Sequence, residues 1–458
     1  MEKQELLRRL PAVHELVDSC GLTACPPQLL TAAARDVLSY WRTGILEEGL
    51  VPPDFDILAA EVAAAAEKMM RQNLRPVVNA TGVVLHTNLG RAPLSEVACQ
   101  AVLDVARGYS NLEMDLDSGE RGERYSHVEE LLCRLTGAEA ALVVNNNAGA
   151  VLLSLHALAK GKEVVVARGE LVEIGGSFRI PEIMAQSGAV LREVGTTNRT
   201  NPRDYEQAIS PDTALILKVH PSNFRVLGFT REVRRQELAA IGQKYQIPVM
   251  DDLGSGVLVN LQDYGIDPEP TVQDTLAAGI DLVTISGDKL LGGPQSGIIL
   301  GRADLIRQLK DDQLLRVLRV DKMTLAALEA TLRAYLQEDT HKNIPVLRML
   351  SLTDAELEKR AVALKELLTE VLEDRCVVVV KSGISRAGGG SLPLTDLRTT
   401  LVVLYPKQIS PAELAERLRM DETPVVARLQ DDSVLIDPRT LLPGDEEILS
   451  KALQRAMD

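Results

Sequence analysis

Cysteine and long apolar runs are both scarce in this sequence of 458 residues. The cysteines are odd in number and scattered, so we expect free thiols of a cytoplasmic protein and no disulfide framework: Cys20, Cys25, Cys99, Cys133 and Cys376. The six histidines are also unclustered, and no metal site is expected. No apolar run approaches the ~20 residues of a membrane-spanning helix. The start of the chain lacks the basic residues and apolar stretch of a signal peptide, so a cytoplasmic protein without membrane association is expected.

Positive charge is also in short supply. Fifty Lys and Arg residues face 65 Asp and Glu residues, a formal net charge of −15. Taken alone, this balance disfavours a nucleic-acid partner, although a local basic surface is enough to bind RNA and net charge does not report how charge is distributed. The length allows a large core and two or three domains, and 45% hydrophobic residues are typical of a globular protein.

The most informative stretch surrounds Lys289. Residues 281–285 form a short β-branched apolar run, residues 286–297 are rich in glycine, and residues 297–301 form another such run. This pattern predicts two buried strands with a lysine in the turn between them. Desolvation lowers the pKa of a lysine and leaves a free amine, which is a nucleophile able to form a Schiff base with an aldehyde cofactor. A surface loop is the alternative interpretation.

Two further strand ends carry polar residues. The run 246–250 predicts a strand that ends on Asp251 and Asp252, and carboxylates at the carboxyl ends of parallel strands lie where open α/β sheets bind ligands. The run 141–144 leads through Asn145, Asn146 and Asn147 into a predicted helix. The N–H groups at the start of that helix would cradle a phosphate.

A phosphate cradle, an aspartate and a lysine, in this chain order, form the layout of the fold-type I pyridoxal phosphate enzymes. Four segments make the resemblance more specific, and they resemble the bacterial selenocysteine synthases, the L-seryl-tRNA(Sec) selenium transferases: residues 79–93, 250–256, 286–295 and 319–329. The similarity covers nearly the whole chain. It implies an α/β fold with a mostly parallel sheet, an N-terminal helical domain and a smaller C-terminal α/β domain.

The resemblance implies a reaction and its partners. The enzyme would convert L-seryl-tRNA(Sec) to L-selenocysteinyl-tRNA(Sec) with selenophosphate, through an aminoacrylyl intermediate bound to pyridoxal phosphate. Lys289 would hold the cofactor and then remove the α-proton of the seryl group as a general base. The chain would form a homo-oligomer, at least a dimer, and the family suggests a ring of dimers.

The resemblance also implies which residues hold the cofactor: Lys289, Asp251, Asp252, Asn146, Asn147, Ser286, Ser222 and Asn223. The asparagines of the cradle and Ser286 would contact the phosphate, and one aspartate would bond the pyridine nitrogen. The strand-end position favours Asp251, but Asp252 stays open. Ser222 and Asn223 would approach the ring and its 3-hydroxyl. Residues 173–178 would lie near the exposed face of the ring, without an identified stacking residue.

A second implied set carries the catalysis: Lys289, Asp288, Arg91, Arg316 and Arg319. Arg316 and Arg319 lie three residues apart, on one face if they are helical, and two guanidinium groups make an anion clamp. With Arg91, they would line the selenophosphate pocket. A solvated helix face is the alternative for this pair. Asp288 stands where related enzymes often have histidine, and one hypothesis is that it helps to protonate the leaving hydroxyl.

The chain is expected to form three domains. Residues 1–70 would be a helical domain that holds the tRNA, residues 71–340 the large cofactor-binding α/β domain, and residues 341–458 a small α/β domain. One rival function is a β-eliminating lyase that acts on a small phosphorylated amino acid or amino sugar. The other is a nucleotide-binding or scaffold protein that has no enzymatic activity.

Overall fold

The computed structural model describes residues 3–20, 25–174, 178–224, 226–393 and 395–458. The chain divides into two compact units, Met1–Pro76 and Val77–Asp458, which we call the N-terminal unit and the main unit. The boundary between these units lies after Pro76, whereas the sequence predicts domain boundaries after residues 70 and 340. The three-domain division remains a prediction. Within the described ranges, no helix is both long and apolar enough to cross a membrane.

The N-terminal unit is helical. Its helices are α1 Lys3–Arg8, α2 Val13–Ser19, α3 Pro27–Glu47 and α4 Phe55–Met70. Apolar residues at helical spacing and alanines that allow close packing of α3 on α4 form its core, which includes Leu16, Leu38, Leu58 and Val62. Prolines at the start of α3 and before α4 separate the helices, because proline lacks the N–H that a helix interior requires.

The main unit begins with alternating strands and helices. The strands are β1 Val78–Asn79, β2 Ala140–Val144, β3 Glu163–Ala167, β4 Glu173–Ile174, β5 Phe178–Arg179, β6 Val190–Val194, β7 Thr213–Val219, β8 Val249–Gly254, β9 Leu282–Ser286 and β10 Gly297–Gly301. The helices are α5 Glu96–Ala106, α6 Ser126–Thr136, α7 Asn147–Ala159, α8 Ile180–Ser187, α9 Pro202–Ala208, α10 Arg235–Tyr245, α11 Val272–Ala277, α12 Ala303–Asp311, α13 Leu314–Leu318 and α14 Lys322–Ala334.

The central sheet has the order β2-β10-β9-β8-β7-β3-β6. All neighbours are parallel except β10, which is antiparallel to both β2 and β9. Each face of the sheet is covered by helices, so its strands are apolar on both sides. On β8, Val249 and Leu253 pack on one face with α10, while Met250 packs on the other face with α7 and α8.

The C-terminal part of the main unit, from residue 340 onward, contains a second sheet with its own helices. Its helices are α15 Thr340–Asn343, α16 Pro345–Ser351, α17 Asp354–Leu372, α18 Pro411–Met420 and α19 Asp445–Met457, and its strands are β11 Cys376–Ser385, β12 Leu397–Pro406, β13 Val425–Val426, β14 Arg428–Gln430 and β15 Ser433–Ile436. An antiparallel sheet of order β11-β12-β15-β14 has its own apolar core against α17, α18 and α19. The early strand β1 pairs with β13, which ties residues 78–79 to this C-terminal part.

Candidate active site

Lys289 lies in the connection between β9 and β10, at the edge of the central sheet. The two strands pair in register, with Ser286 opposite Gly297, so the ends of this connection are fixed by the sheet. Gly287 has to be glycine here, because a Cβ atom would lie 2.2 Å from the Ser296 hydroxyl oxygen. Lys289 is 5% exposed and lines a cavity of about 310 Å³ at the carboxyl ends of the parallel strands.

Burial sets the ionisation of Lys289. Loss of solvation lowers the pKa of its amine; the Asp252 carboxylate opposes that shift, and the Arg91 guanidinium adds to it. Within the described ranges Lys289 forms no ion pair, and the net effect of its surroundings lowers its pKa. The cavity therefore holds a buried amine with an increased neutral fraction, which is the form that attacks an aldehyde or accepts a proton.

Asp252 is one of the carboxylates that line this cavity. Its Oδ1 accepts hydrogen bonds from Asn147 Nδ2 at 2.8 Å and from Thr284 Oγ1 at 3.1 Å. Thr284 stands directly opposite Asp252 in the β8–β9 register, so both side chains lie on the same face. Burial raises the pKa of Asp252, and the bond from Asn147 and the charge of Lys289 oppose this rise.

Asp251 lies on the opposite face of β8, because neighbouring residues of a strand alternate in direction. Its Oδ2 accepts a hydrogen bond from Arg235 Nε at 2.6 Å, and it stands opposite Lys218 in the β7–β8 register. It does not line the cavity that contains Lys289. Strand parity turns Asp251 away from Lys289 and places Asp252 beside it, contrary to the expectation that the strand-end position favours Asp251.

The predicted phosphate cradle lies at the start of α7. Asn146 is the N-cap, and its Oδ1 accepts a hydrogen bond from Gly149 N at 2.8 Å. Asn146, Asn147 and Ser286 all line the cavity of Lys289. The asparagine side chains are already used to cap the helix and to hold Asp252, so we expect the N–H groups of the first turn to supply the anion-binding donors.

Of the two site residues predicted in the loop after β7, one lines the cavity of Lys289 and the other does not. Ser222 is buried and lines the cavity, and its hydroxyl oxygen has no hydrogen-bond partner among the described residues. Asn223 is exposed, and its Nδ2 donates to the Glu173 carbonyl at 2.8 Å, away from the cavity. The stretch 173–178, expected near the ring, includes residues 175–177, which lie outside the described residues.

Arg91 and Asp288 form an ion pair at the wall of the same cavity. Arg91 Nη1 lies 3.0 Å from Asp288 Oδ2. Arg91 has a positive φ of 64°, which is uncommon for a residue with a side chain and marks a backbone held in place by its surroundings. In this contact the Arg91 guanidinium donates and the Asp288 carboxylate accepts the hydrogen bond.

Arg316 and Arg319 line a different cavity, of about 330 Å³. Arg316 belongs to the short helix α13, whereas Arg319 follows its end in extended conformation, so they do not share one helix face. Arg319 Nη1 lies 3.7 Å from Glu113 Oε1. The wall of this cavity also includes Arg121 and Arg124. In the described residues, four arginines therefore line this second cavity, whereas Arg91 lines the cavity of Lys289.

The comparisons with known proteins identify the family of the chain. The family model of L-seryl-tRNA selenium transferase matches residues 77–442. The L-seryl-tRNA(Sec) selenium transferase of Moorella thermoacetica is 54% identical over 100% of this chain and 98% of its own length. That of Desulfomicrobium baculatum is 51% identical over 99% of each chain. The chain belongs to the L-seryl-tRNA selenium transferase family.

The fold of this family member is also similar to solved structures. A D-glucosaminate-6-phosphate ammonia-lyase matches with a TM-score of 0.58 and 20% identity, over 85% of this chain and 97% of that chain. The predicted fold class is confirmed: the protein has the α/β fold of the fold-type I pyridoxal phosphate enzymes, with a mostly parallel sheet and a helical N-terminal region.

Two neighbours of the site in this transferase-family chain were missed by the sequence analysis. Thr284 donates a hydrogen bond to Asp252. The sequence feature that could have indicated this contact is a polar residue, two positions before Ser286, in an otherwise apolar strand. Glu269 is buried, and its Oε1 lies 2.9 Å from His220 Nε2. No local pattern around Glu269 indicates this contact.

Proposed function

We propose that this chain converts L-seryl-tRNA(Sec) to L-selenocysteinyl-tRNA(Sec), with selenophosphate as the selenium donor and pyridoxal phosphate as the cofactor. Family membership supports the reaction. The observation that carries the chemistry is the buried amine of Lys289, with a lowered pKa, beside Asp252 and the start of α7.

The residues of the cavity fit pyridoxal phosphate. The volume of about 310 Å³ is in the range of small-ligand pockets. Two buried atoms at its wall, Ser222 Oγ and Asn147 Oδ1, have no hydrogen-bond partner among the described residues and would gain one from a polar ligand. Gly254 has a φ of +67°, and a Cβ atom there would lie 3.8 Å from Lys289 Nζ, so glycine keeps the space beside the amine open.

Each wall of the cavity would hold one part of the cofactor. Lys289 would hold the aldehyde carbon, the first turn of α7 with Ser286 the phosphate, and Asp252 the pyridine nitrogen. Asp252 is buried with a raised pKa, so a cationic N–H partner would stabilise its ionised form. When bound, pyridoxal phosphate supplies an electron sink for the pair left at the α-carbon of the seryl group.

Lys289 has a second role as the base. Its Nζ would accept the α-proton of the seryl group, which its lowered pKa favours. Asp288 would keep Arg91 directed at the cavity, where the guanidinium binds an anion. In this proposal Asp288 acts by positioning Arg91, and the earlier hypothesis of a proton donor has no supporting contact.

The selenophosphate site is proposed to use Arg91, Arg316 and Arg319. Within one chain these arginines line two cavities. A homo-oligomer offers a way to combine them, with the Arg316 and Arg319 cavity of one copy facing the Lys289 cavity of another. We therefore propose at least a dimer, and the N-terminal unit as the part that holds the tRNA. The ammonia-lyase likeness concerns the fold alone and does not favour the rival lyase reaction.

An absorption spectrum of the purified protein with pyridoxal phosphate tests this function. We expect a visible band from the lysine-bound cofactor, borohydride fixation of the label on the peptide with Lys289, and a spectral change with seryl-tRNA(Sec) but not with free serine. A visible band that does not change when seryl-tRNA(Sec) is added would contradict the transferase function and favour the lyase function. Absence of any band would favour the scaffold.

A further inference from the structure

A larger cavity, of about 430 Å³, opens beside the Lys289 cavity in the main unit. Its floor is formed by Glu170, which follows β3, and by Lys218 near the end of β7. Lys218 Nζ lies 2.9 Å from Glu170 Oε1, and both side chains are buried. We call this space the β3–β7 cavity. The proposed chemistry at Lys289 makes no use of it.

The β3–β7 cavity lies at the switch point of the sheet. The chain leaves β3 through α8 to the edge strand β6, whereas it leaves β7 through α10 to β8 in the other direction. Helix α8 packs on one face of the sheet and α10 on the other. The crevice between the carboxyl ends of two such strands is a general ligand site of open α/β sheets.

The walls include an aromatic ring and four cationic side chains, together with the carboxylates of Glu170, Glu232 and Glu269. Phe224, one of four phenylalanines in the chain, lines the cavity and is 37% exposed. Arg199 and Arg231 are exposed at the cavity, and neither forms an ion pair with a residue of the described chain. Arg235 Nη2 is buried without an acceptor among the described residues. A ring for stacking, unpaired guanidinium groups and an unused buried donor suit a nucleotide.

The two cavities share His220. A molecule bound in the β3–β7 cavity therefore lies next to one bound beside Lys289. In a charged tRNA, the seryl group is an ester of the terminal ribose, so a few covalent bonds separate the reacting carbon from the terminal nucleoside. When the seryl group is beside Lys289, the nucleoside has to occupy a neighbouring space.

We infer that the β3–β7 cavity binds the 3′-terminal adenosine of the charged tRNA; this inference rests on the proposed function. The adenine stacks on Phe224, and Arg199 and Arg231 neutralise the adjoining phosphates. Arg235 donates its free N–H to an acceptor of the nucleoside. Every charged tRNA ends in the same adenosine, so this contact would not distinguish one tRNA from another. Other parts of the protein would have to select tRNA(Sec).

Photo-cross-linking tests the location. The full chain, loaded with pyridoxal phosphate, is mixed with tRNA(Sec) that carries 8-azidoadenosine as its terminal nucleoside, irradiated, and digested for mass spectrometry. We expect the label on peptides that contain residues 196–200 or 220–235. Labelling that avoids both segments would overturn the inference.

A pair of phenylalanine variants tests the stacking. Phe224→Ala should raise the KM for seryl-tRNA(Sec) about tenfold, from the loss of one base–aromatic stack, and reduce cross-link yield, with little change in kcat. Phe229→Ala is the matched control, because Phe229 lies on the same loop, is 89% exposed and does not line the cavity. Equal KM values for the two variants would overturn the role of Phe224.

The two proposals fail in different ways. If the wild-type chain cross-links through residues 196–200 or 220–235 but does not turn over seryl-tRNA(Sec), the inferred location stands and the proposed function is contradicted. If the wild-type chain turns over its substrate while the label lies elsewhere, the function stands and the inferred location is overturned. The visible band of the lysine-bound cofactor is measured in each variant. A variant that keeps the band has an intact cofactor site, so its higher KM then reports a lost RNA contact.

Discussion

Two buried lysines flank β8 on opposite faces of the central sheet, and their surroundings give them opposite properties. Lys218 is 2% exposed and Lys289 is 5% exposed, so burial favours the neutral amine in both. At Lys218, burial is outweighed by the carboxylates of Glu170, Asp251 and Glu232, and its pKa is raised. At Lys289, burial outweighs the more weakly coupled carboxylates, and the pKa is lowered.

The difference teaches that burial alone does not make a reactive lysine. Lys218 Nζ makes a 2.9 Å contact with Glu170, whose other oxygen accepts from Val219 N at 3.0 Å. Burial also raises the pKa of the Glu170 carboxyl, and the Lys218 ammonium and the Val219 N–H oppose that rise. Lys289 has no such contact in the described chain, so its amine stays available for chemistry.

The largest effect is expected from Lys289→Ala. In the proposed function, loss of the amine removes both the attachment point of the cofactor and the base, and general base catalysis alone contributes about 10²–10⁴-fold. We expect turnover of seryl-tRNA(Sec) to fall by at least this factor and the visible band to vanish, with an unchanged far-ultraviolet circular dichroism spectrum. A variant that kept a borohydride-fixed label would contradict the assignment of Lys289.

Lys218→Met should instead destabilise the fold. Removing one partner of a buried ion pair leaves an uncompensated carboxylate at Glu170, which costs about 3–5 kcal/mol in the free energy of unfolding. Urea denaturation of the cofactor-free protein measures this change. Lys289→Met is the comparison, with an expected change below about 1 kcal/mol because no ion pair is broken.

The double variant Lys218→Met with Glu170→Gln controls for the lost lysine packing. Glutamine keeps an oxygen for the Val219 N–H without the charge, so much of the stability should return. If the double variant were as unstable as Lys218→Met alone, the buried charge would not be the cause.

The pH dependence of cofactor attachment distinguishes the neighbours of Lys289. The neutral amine attacks, so the rate should rise with pH until the pKa of Lys289, which lies below the ordinary value of about 10.4. Asp252 raises that pKa, so Asp252→Asn should move the rise to lower pH. Arg91 lowers it, so Arg91→Ala should move the rise to higher pH. Stopped-flow absorbance measures both, and shifts of equal sign would contradict this electrostatic account.

The smallest effect is expected from Ser222→Ala. The hydroxyl is buried without a partner among the described residues, so its removal should leave the cofactor-free protein equally stable or slightly more stable. Loss of one hydrogen bond to the cofactor should weaken pyridoxal phosphate affinity about 2–10-fold. Ser255→Ala is the control, since Ser255 is a buried serine that also lacks a partner but does not line the cavity. Equal cofactor affinities in the two variants would remove Ser222 from the site.

Most of the apolar strands were predictable to within one residue. The runs 141–144, 281–285 and 297–301 predicted strands, and the structure has β2 at Ala140–Val144, β9 at Leu282–Ser286 and β10 at Gly297–Gly301. The run 246–250 predicted a strand that ends on Asp251 and Asp252, and the observed strand β8, Val249–Gly254, contains both aspartates but ends two residues later. Two adjacent aspartates are typical of a turn, and they remain in this strand because Arg235 holds one and Asn147 the other.

The site was less predictable than the sheet. The choice between Asp251 and Asp252 depends on which face of β8 points to Lys289, and only the pairing with β7 and β9 determines that. The separation of Arg91 from Arg316 and Arg319 depends on packing between residues more than two hundred positions apart, which no local pattern contains. The glycine turn around Lys289 was predictable, because its composition and flanking strands are local.

The register of β9 with β10 has a consequence for motion around Lys289. The turn between them is closed by the ladder pair Ser286 and Gly297 and by internal bonds, from Gly287 N to the Ser296 carbonyl and from Gly293 N to the Gly287 carbonyl, each of 2.9 Å. Its amide hydrogens should therefore exchange with deuterium only through large, cooperative openings. If Lys289 has the two proposed roles, only its side chain would have to move between them, and the backbone that carries it would keep the same position in every turnover.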